Sequence, residues 1–142
     1  MTELCRNRLT VFGDTRELAA FVDRVRTDEQ PLSFETVAPT PAHLLKEGWY
    51  EWRIEHWGTK WDAEFEDVTE PLQVRRTRAT YVFLTVWRPP VAWIERASEA
   101  YPALMFRLDY AVLDGSLSGV KAVKGGAVVR EDHEPVVPEE AV

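Results

Sequence analysis

The stretch that decides the fold is residues 80–90, which read TYVFLTVWRPP. Alternate residues of a strand point to opposite sides, and here both sides are largely apolar. The pattern therefore predicts a central strand over Thr80–Trp87 that is covered on both faces. Pro89 and Pro90 end this strand and open a helix, because proline is tolerated in the first helical turn. The helix carries an apolar stripe at helical spacing, formed by Ile94, Ala97 and Tyr101.

A strand, a helix and a second short strand are predicted upstream of this stretch. Leu4–Phe12 alternates between two faces, as a strand does. Asp14 followed by Glu17 is typical of a helix start, and the apolar spacing after it predicts a helix over residues 14–27. Leu32–Val37 is then predicted to be a short strand.

Downstream, the pattern predicts a hairpin and an acidic tail. Leu104–Val112 alternates as a half-buried strand, and Asp114–Gly115 is a hairpin turn signal. Leu117–Val123 should return antiparallel, and Gly125–Gly126 permits one more short pairing. Residues 131–142 are acidic and contain two prolines, which predicts a disordered tail.

This order of strands and helices predicts the α+β class. The expected plan is a ferredoxin-like split βαβ arrangement: a mostly antiparallel sheet, two main helices and an aromatic-rich insert. The chain of 142 residues suits one domain, which we place at residues 1–130, with the tail at 131–142.

The charge balance limits the partners. The formal net charge is −7, from 17 basic and 24 acidic residues. This disfavours broad electrostatic binding to duplex nucleic acid or anionic lipid, although it allows a local basic patch and would suit a basic partner.

Cys5 is the only cysteine, so an intramolecular disulfide and a cysteine-rich zinc site are ruled out. A reducing compartment is the simplest interpretation, and no uncharged run approaches the length of a membrane span. We therefore expect a protein of the cytoplasm.

The densest group of aromatic and polar residues is Trp49–Asp62, called here the aromatic segment, which reads WYEWRIEHWGTKWD. We predict a short helix followed by a turn at Gly58–Thr59. The four tryptophans either wedge this segment onto the sheet or present a stacking platform for a partner. The candidate binding residues here are Trp52, Arg53, His56, Trp57, Lys60 and Asp62.

Three further interpretations stay open. Asn7, on the core face of the first strand, either holds a neighbouring loop or belongs to a binding site. Asp62, Glu64 and Glu66 share one face of a predicted strand and form either a solvated surface or a metal site. His56, Lys60 and Asp62 would permit acid–base chemistry if they converged. No residue is assigned as catalytic, and no metal or cofactor is expected.

The sequence also resembles a family of phage- and plasmid-encoded proteins that carry a YubB-like ferredoxin-like domain. The motifs are Cys5-x-Asn7 before Leu9-x-Val11-x-Gly13, then Leu32-Ser33-Phe34, Trp49-Tyr50-x-Trp52-Arg53, His56-Trp57-Gly58-Thr59-Lys60-Trp61-Asp62 and Phe83-x-Thr85-x-Trp87-x-Pro89-Pro90. The resemblance runs from about Cys5 to Gly126 and leaves the tail outside. It implies the ferredoxin-like fold and a bacterial or phage cytoplasmic setting, and no catalytic role.

These observations favour an accessory protein of a phage or mobile element that binds a host or phage macromolecule, most simply a protein, through the aromatic segment. The alternatives are a metal-dependent nuclease that uses His56, Lys60 and Asp62, and a single-stranded nucleic-acid binder that uses the aromatic residues with Arg53 and Lys60. The acidic balance disfavours nucleic acid.

Overall fold

The computed structural model describes residues 3–65, 71, 73–115 and 117–134, the last three of these by their backbone only. Two turns of 3-10 helix, Phe34–Thr36 and Ala42–Leu44, lie between the first and second helices. The strands and helices are, in chain order, β1 (Leu4–Phe12), α1 (Thr15–Val25), α2 (Trp49–His56), β2 (Gln73–Val74), β3 (Arg78–Val86), α3 (Val91–Ala100), β4 (Met105–Val112), β5 (Ser118–Lys124) and β6 (Ala127–Glu134).

The sheet has six strands in the order β2-β3-β1-β4-β5-β6, and every neighbouring pair is antiparallel. Since β1 is antiparallel to both β3 and β4, these two strands run parallel to each other on either side of it, joined through α3. In the same way α1 connects β1 to β2, with β3 between them. Two interleaved split βαβ units result, which confirms the predicted ferredoxin-like plan. The hairpin of β5 and β6 widens this sheet on one side.

One face of the sheet holds the core. On β1, Cys5, Leu9 and Val11 are fully buried, whereas Arg6 and Arg8 between them are exposed. The same alternation runs along β4, where Phe106 and Leu108 are fully buried. The helix side of the core is supplied by Leu18, Phe21 and Val25 of α1 and by Trp93, Ile94 and Ala97 of α3.

The other face of the sheet is open. We predicted that β3 is covered on both sides, and this is wrong, because Val82 is 38% exposed. Tyr81 and Phe83 point into the core, so β3 is a central strand that the helices cover on one side only. The apolar residues on its second face had suggested a cover that the described residues do not supply.

Two predicted strands take other forms. Residues 32–37 contain a 3-10 turn, Phe34–Thr36, in which the Ser33 side chain caps the start by accepting a hydrogen bond from Glu35 N. The predicted strand around Glu64 is reduced to one bridge between Glu64 and Leu84. Glu66 lies outside the described residues.

The C-terminal boundary also differs from the prediction. β6 continues to Glu134, so residues 131–134 belong to the sheet and not to the tail that we placed at 131–142. Pairing with β5 gives this acidic stretch backbone partners that its composition did not reveal. Residues 135–142 lie outside the described residues.

No helix among the described residues is long and apolar enough to cross a membrane.

Candidate functional site

Arg53 occupies the centre of the aromatic segment. Its guanidinium carbon lies 5.0 Å from the ring centre of Trp49, 4.8 Å from that of Trp57 and 5.9 Å from that of Trp61. Attraction between a cation and an aromatic face is strongest where water is excluded, and the Arg53 side chain is only 13% exposed. The arginine therefore acts as the hub around which three of the four tryptophans are arranged.

The same guanidinium joins the aromatic segment to the preceding loop. Arg53 donates from Nε to Thr40 Oγ1 at 3.0 Å and from Nη1 to Lys60 O at 3.2 Å. Nη2 forms an ion pair with Glu35 Oε2 at 3.4 Å, and Glu35 in turn accepts a hydrogen bond from Thr40 N. With its donors taken up inside the fold, Arg53 positions the segment and is not available to a partner.

Trp57 and Asn7 are both fully buried, which removes these two predicted binding residues from any contact surface. The Trp57 indole donates to Ala38 O at 2.9 Å. The Asn7 side-chain amide donates to Thr85 Oγ1 at 2.9 Å and to Cys5 O at 3.2 Å, so it joins β1 to β3 inside the sheet. Both side chains stabilise the fold.

Asp62 fastens the end of the aromatic segment to the 3-10 turn at residues 34–36. Its carboxylate accepts hydrogen bonds from Ser33 Oγ at 2.5 Å, from Phe34 N at 2.7 Å and from Ala63 N at 2.8 Å. Burial raises the pKa of this carboxyl above its ordinary value, although the hydrogen bonds from Ser33 and from the backbone act in the opposite direction. Asp62 is therefore a structural acceptor.

His56 and Trp52 form a pair on α2. Their rings stack with centres 4.1 Å apart and planes 10° from parallel, and His56 Nδ1 lies 2.8 Å from Trp52 O. Both residues are half-buried. They line an open groove of about 440 Å³ together with Arg96 and Glu99 of α3.

Lys60 contacts a different aromatic residue, Trp87, with Nζ 4.7 Å from the ring centre. Trp87 has a positive φ of 66° and is 46% exposed at the end of β3. The turn before Lys60 is fixed by the hydrogen bond from Thr59 Oγ1 to Val86 O at 2.8 Å. Gly58 has a φ of 89°, and a side chain at Gly58 would lie 3.1 Å from Pro89 O.

The structure does not bring together the three residues of the nuclease alternative. His56 contacts Trp52, Lys60 contacts Trp87, and Asp62 contacts the 33–34 backbone and hydroxyl. Among the described residues, no group of three His, Cys, Asp or Glu side chains is placed to hold a metal ion. No observation on these residues favours hydrolytic chemistry.

What the aromatic segment does expose is its outer edge. Trp49 lies between Tyr50, in edge contact at 6.0 Å, and Trp61, stacked at 5.2 Å. Tyr50 is 40% exposed and Trp61 is 48% exposed. We call Trp49, Tyr50 and Trp61 the aromatic ledge. The sequence pointed to this segment but not to Tyr50 or Trp61, because no local pattern distinguishes these exposed aromatic residues from the buried Trp57.

A second surface, which the sequence analysis did not single out, is the open face of the sheet. The strand register places five arginines there: Arg6 and Arg8 of β1, Arg78 of β3, Arg107 of β4 and Arg130 of β6. We call this surface the arginine face. Its signal in the sequence is the alternation of Arg6 and Arg8 with buried residues.

The fold is similar to that of a solved protein. It matches the crystal structure of a protein api92 from Yersinia pseudotuberculosis with a TM-score of 0.66, over 97% of this chain and 100% of the other. The sequences are 8% identical, so this match concerns the fold alone. No curated protein matches the chain.

A family model described as the ferredoxin-like domain in Api92-like protein matches residues 56–141. The match covers more than half of the chain and extends beyond Gly126, where we had expected the family resemblance to end. It includes the second half of the βαβ plan and the hairpin that widens the sheet. The chain therefore belongs to the family of ferredoxin-like domains in Api92-like proteins.

Proposed function

We propose that this protein is a non-enzymatic binding module that contacts a protein partner through the aromatic ledge. The observation that carries the proposal is that Tyr50 and Trp61 are exposed while the residues beneath them hold them in position. Trp61 is stacked on Trp49, which in turn packs against the Arg53 guanidinium. Exposed aromatic side chains with little freedom left to lose are favourable contact residues, because binding then costs less conformational entropy.

The charges of α2 and of the turn before it favour a basic partner segment. Three exposed carboxylates there, Glu47, Glu51 and Glu55, outnumber the exposed cation Lys46. A lysine or arginine of the partner can approach an aromatic face and a carboxylate at the same time, and arginine stacks especially well. The net charge of −7 acts in the same direction at longer range.

The proposed setting is a phage or another mobile element in the cytoplasm of a bacterial host, with a host or phage protein as the partner. Support comes from the motif resemblance to phage- and plasmid-encoded proteins and from the single buried thiol, Cys5. A lone free cysteine suits a reducing compartment.

The test is affinity capture of the tagged protein from host lysate, followed by titration calorimetry with the purified partner. The ledge variant is Tyr50→Ser/Trp61→Ser, which leaves the buried Trp57 in place. The matched control is Leu113→Ser/Val128→Ser, because these two exposed apolar residues lie at other sites. Both variants are first checked for folding by circular dichroism.

We expect the ledge variant to weaken binding about tenfold or more, since truncating aromatic contact residues commonly costs more than 1 kcal/mol. The control variant should bind as the wild type does. Equal affinity of the ledge variant and the wild type would contradict the proposal.

A further inference from the structure

The arginine face is a continuous trough. One groove of about 640 Å³ is lined by Arg6, Arg8 and Arg130 over β1, β4, β5 and β6. A second groove of about 260 Å³ is lined by Arg8, Arg78 and Arg107 over β1, β3 and β4. The two share Arg8 and Asp109, so they adjoin. From β6 to β3 the trough spans four strand intervals, or roughly 19 Å.

The charge of this face is opposite to that of the chain. Among the described residues, the strand positions of the face carry six cations, the five arginines and Lys124, against four carboxylates, Glu64, Asp109, Asp132 and Glu134. Asp109 is already paired with Arg107, whose Nε and Nη2 donate to it at 3.1 and 3.2 Å. An acidic protein thus concentrates positive charge on the one face that its helices leave open.

Three of these arginines keep their charge available. Within the described part of the chain, Arg6, Arg8 and Arg78 have no carboxylate within ion-pair distance. Arg6 and Arg8 are two residues apart on one strand, so their Cα atoms are about 7 Å apart and their side chains point the same way. This gives a row of separate guanidinium groups along an extended surface.

Exposed apolar side chains lie beside the arginines. The register pairs Arg8 with Val82 and Arg78 with Phe12, and both apolar partners are more than one-third exposed. A guanidinium plane or a phenyl ring can stack on a nucleic-acid base, while the guanidinium fork matches the oxygens of a phosphate. The face therefore offers cationic donors for a backbone and flat or apolar neighbours for bases.

We propose that the arginine face binds single-stranded nucleic acid, with Arg6, Arg8 and Arg78 contacting its phosphates. A single strand fits better than a duplex, because unstacked bases are needed to reach Phe12, which lines the second groove, and Val82, which the register pairs with Arg8. The proposal is independent of the protein-binding ledge, which lies on another part of the molecule. It differs from the sequence-based alternative, which assigned nucleic acid to the aromatic segment.

The acidic balance of the chain does not prevent this binding. The exposed carboxylates Glu17 and Asp23 on α1, Glu51 and Glu55 on α2, and Glu99 on α3 lie on elements outside the open face. Charges on opposite sides of the sheet are separated by more than the screening length of about 8 Å at physiological salt. Local charge therefore decides what approaches the trough.

The test is fluorescence anisotropy with labelled single-stranded DNA and RNA of about 20 nucleotides. The full chain is titrated at several salt concentrations between about 50 and 200 mM. The trough variants are Arg6→Ala/Arg8→Ala and, in the second groove, Arg78→Ala. The matched control Arg16→Ala/Arg88→Ala removes the same charge from exposed positions outside the trough. A duplex of the same sequence and polyglutamate serve as competitors.

We expect binding of the single strand that weakens with salt, about tenfold weaker binding by Arg6→Ala/Arg8→Ala, and a salt slope smaller by about 1.4, or 0.7 per lost phosphate contact. Arg78→Ala should show half of that change in slope, and the control should match the wild type. Arg6→Lys/Arg8→Lys, which keeps the charge, should retain the salt slope even if it loses affinity.

Three results would overturn the proposal. They are no binding by the folded wild type at the lowest salt, an equal loss in the trough and control variants, and competition by polyglutamate or duplex at least as effective as that by the unlabelled single strand.

Discussion

The aromatic segment and the arginine face use similar residue types in opposite ways. In the aromatic segment, Arg53 and Asp62 form their polar contacts within the segment or with the loop before it, and three of the four tryptophans pack around Arg53. On the arginine face, Arg6, Arg8 and Arg78 stand on regular strands without a carboxylate partner among the described residues. The aromatic segment, although dense in aromatic and polar residues, thus mainly stabilises the fold. The charges that are available to a ligand lie instead on the regular strands β1 and β3.

The largest expected loss of stability comes from removing a buried side chain of the aromatic segment. Trp57→Ala removes a fully buried indole with a hydrogen bond to Ala38 O. Loss of a large buried aromatic side chain costs about 3–5 kcal/mol of unfolding free energy. Trp61→Ala, at an exposed position, should cost less than about 1 kcal/mol. Urea denaturation measures both values, and equal losses would show that the division of the segment into core and ledge is wrong.

A smaller effect is expected at the fastening of the aromatic segment to residues 33–34. Asp62→Ala leaves Ser33 Oγ and Phe34 N without their acceptor, so we expect a loss of about 2 kcal/mol. Glu64→Ala, at an exposed carboxylate two residues away, should stay within about 0.5 kcal/mol of the wild type. A loss of similar size at Glu64 would contradict the structural role assigned to Asp62.

The same carboxyl gives a pH dependence with a definite sign. Burial raises the pKa of the Asp62 carboxyl in the folded state. The folded protein therefore binds a proton at this carboxyl more tightly than the unfolded chain does. Its contribution to stability is present below the ordinary pKa of 3.8 and is lost as the pH rises through the raised value. Relative to Asp62→Asn, the wild type should therefore become more stable on acidification from neutral pH. Parallel stability curves for the two proteins would contradict this.

A substitution in the turn at Gly58–Thr59 should lower the free energy of unfolding by less than the changes at Trp57 and Asp62. Thr59→Val keeps the shape of the side chain but removes the hydroxyl that donates to Val86 O. We expect a loss of about 1 kcal/mol, the net value of one such hydrogen bond, since Val86 O keeps its hydrogen bond from Arg88 N at 2.8 Å. Thr59→Ser keeps the donor and is the control; if it is destabilised more than Thr59→Val, packing and not the hydrogen bond fixes the turn.

The smallest effect on stability is expected on the arginine face. Arg6→Ala/Arg8→Ala removes two exposed side chains from β1, so the free energy of unfolding should change by no more than about 0.5 kcal/mol per site. Thermal unfolding at matched salt measures it. A large loss of stability would mean that these arginines, like Arg53, serve the fold, and the contrast between the two regions would disappear.

Much of the architecture could be predicted from local patterns. The alternation in β1, β3 and β4, the cap at Asp14 and the Asp114–Gly115 turn all act over a few residues. Residues 32–37 could not be predicted in this way, because their 3-10 turn depends on Asp62, some 28 residues later in the chain. A distant hydrogen bond here overrode a strand-like local composition.

The candidate sites show the same limit. The aromatic segment was recognisable, but whether Trp57 or Trp61 faces solvent depends on Ala38 and Arg53, and on how the loop before α2 returns to them. The arginine face needs the register of β1 with β3 and β4, and of β5 with β4 and β6, before arginines from four strands meet. The net charge of −7 disfavoured nucleic acid and allowed only a local basic patch, whose position it could not indicate.

Arg53 has a consequence for how this domain can change over evolution. One guanidinium holds Glu35, Thr40, the Lys60 carbonyl and three tryptophans together. A lysine there would keep the charge but could not serve so many directions at once. We expect these residues to be inherited as a block: relatives without the arginine should also lack the tryptophans and the glutamate, whereas the arginines of the open sheet face can be gained or lost one at a time.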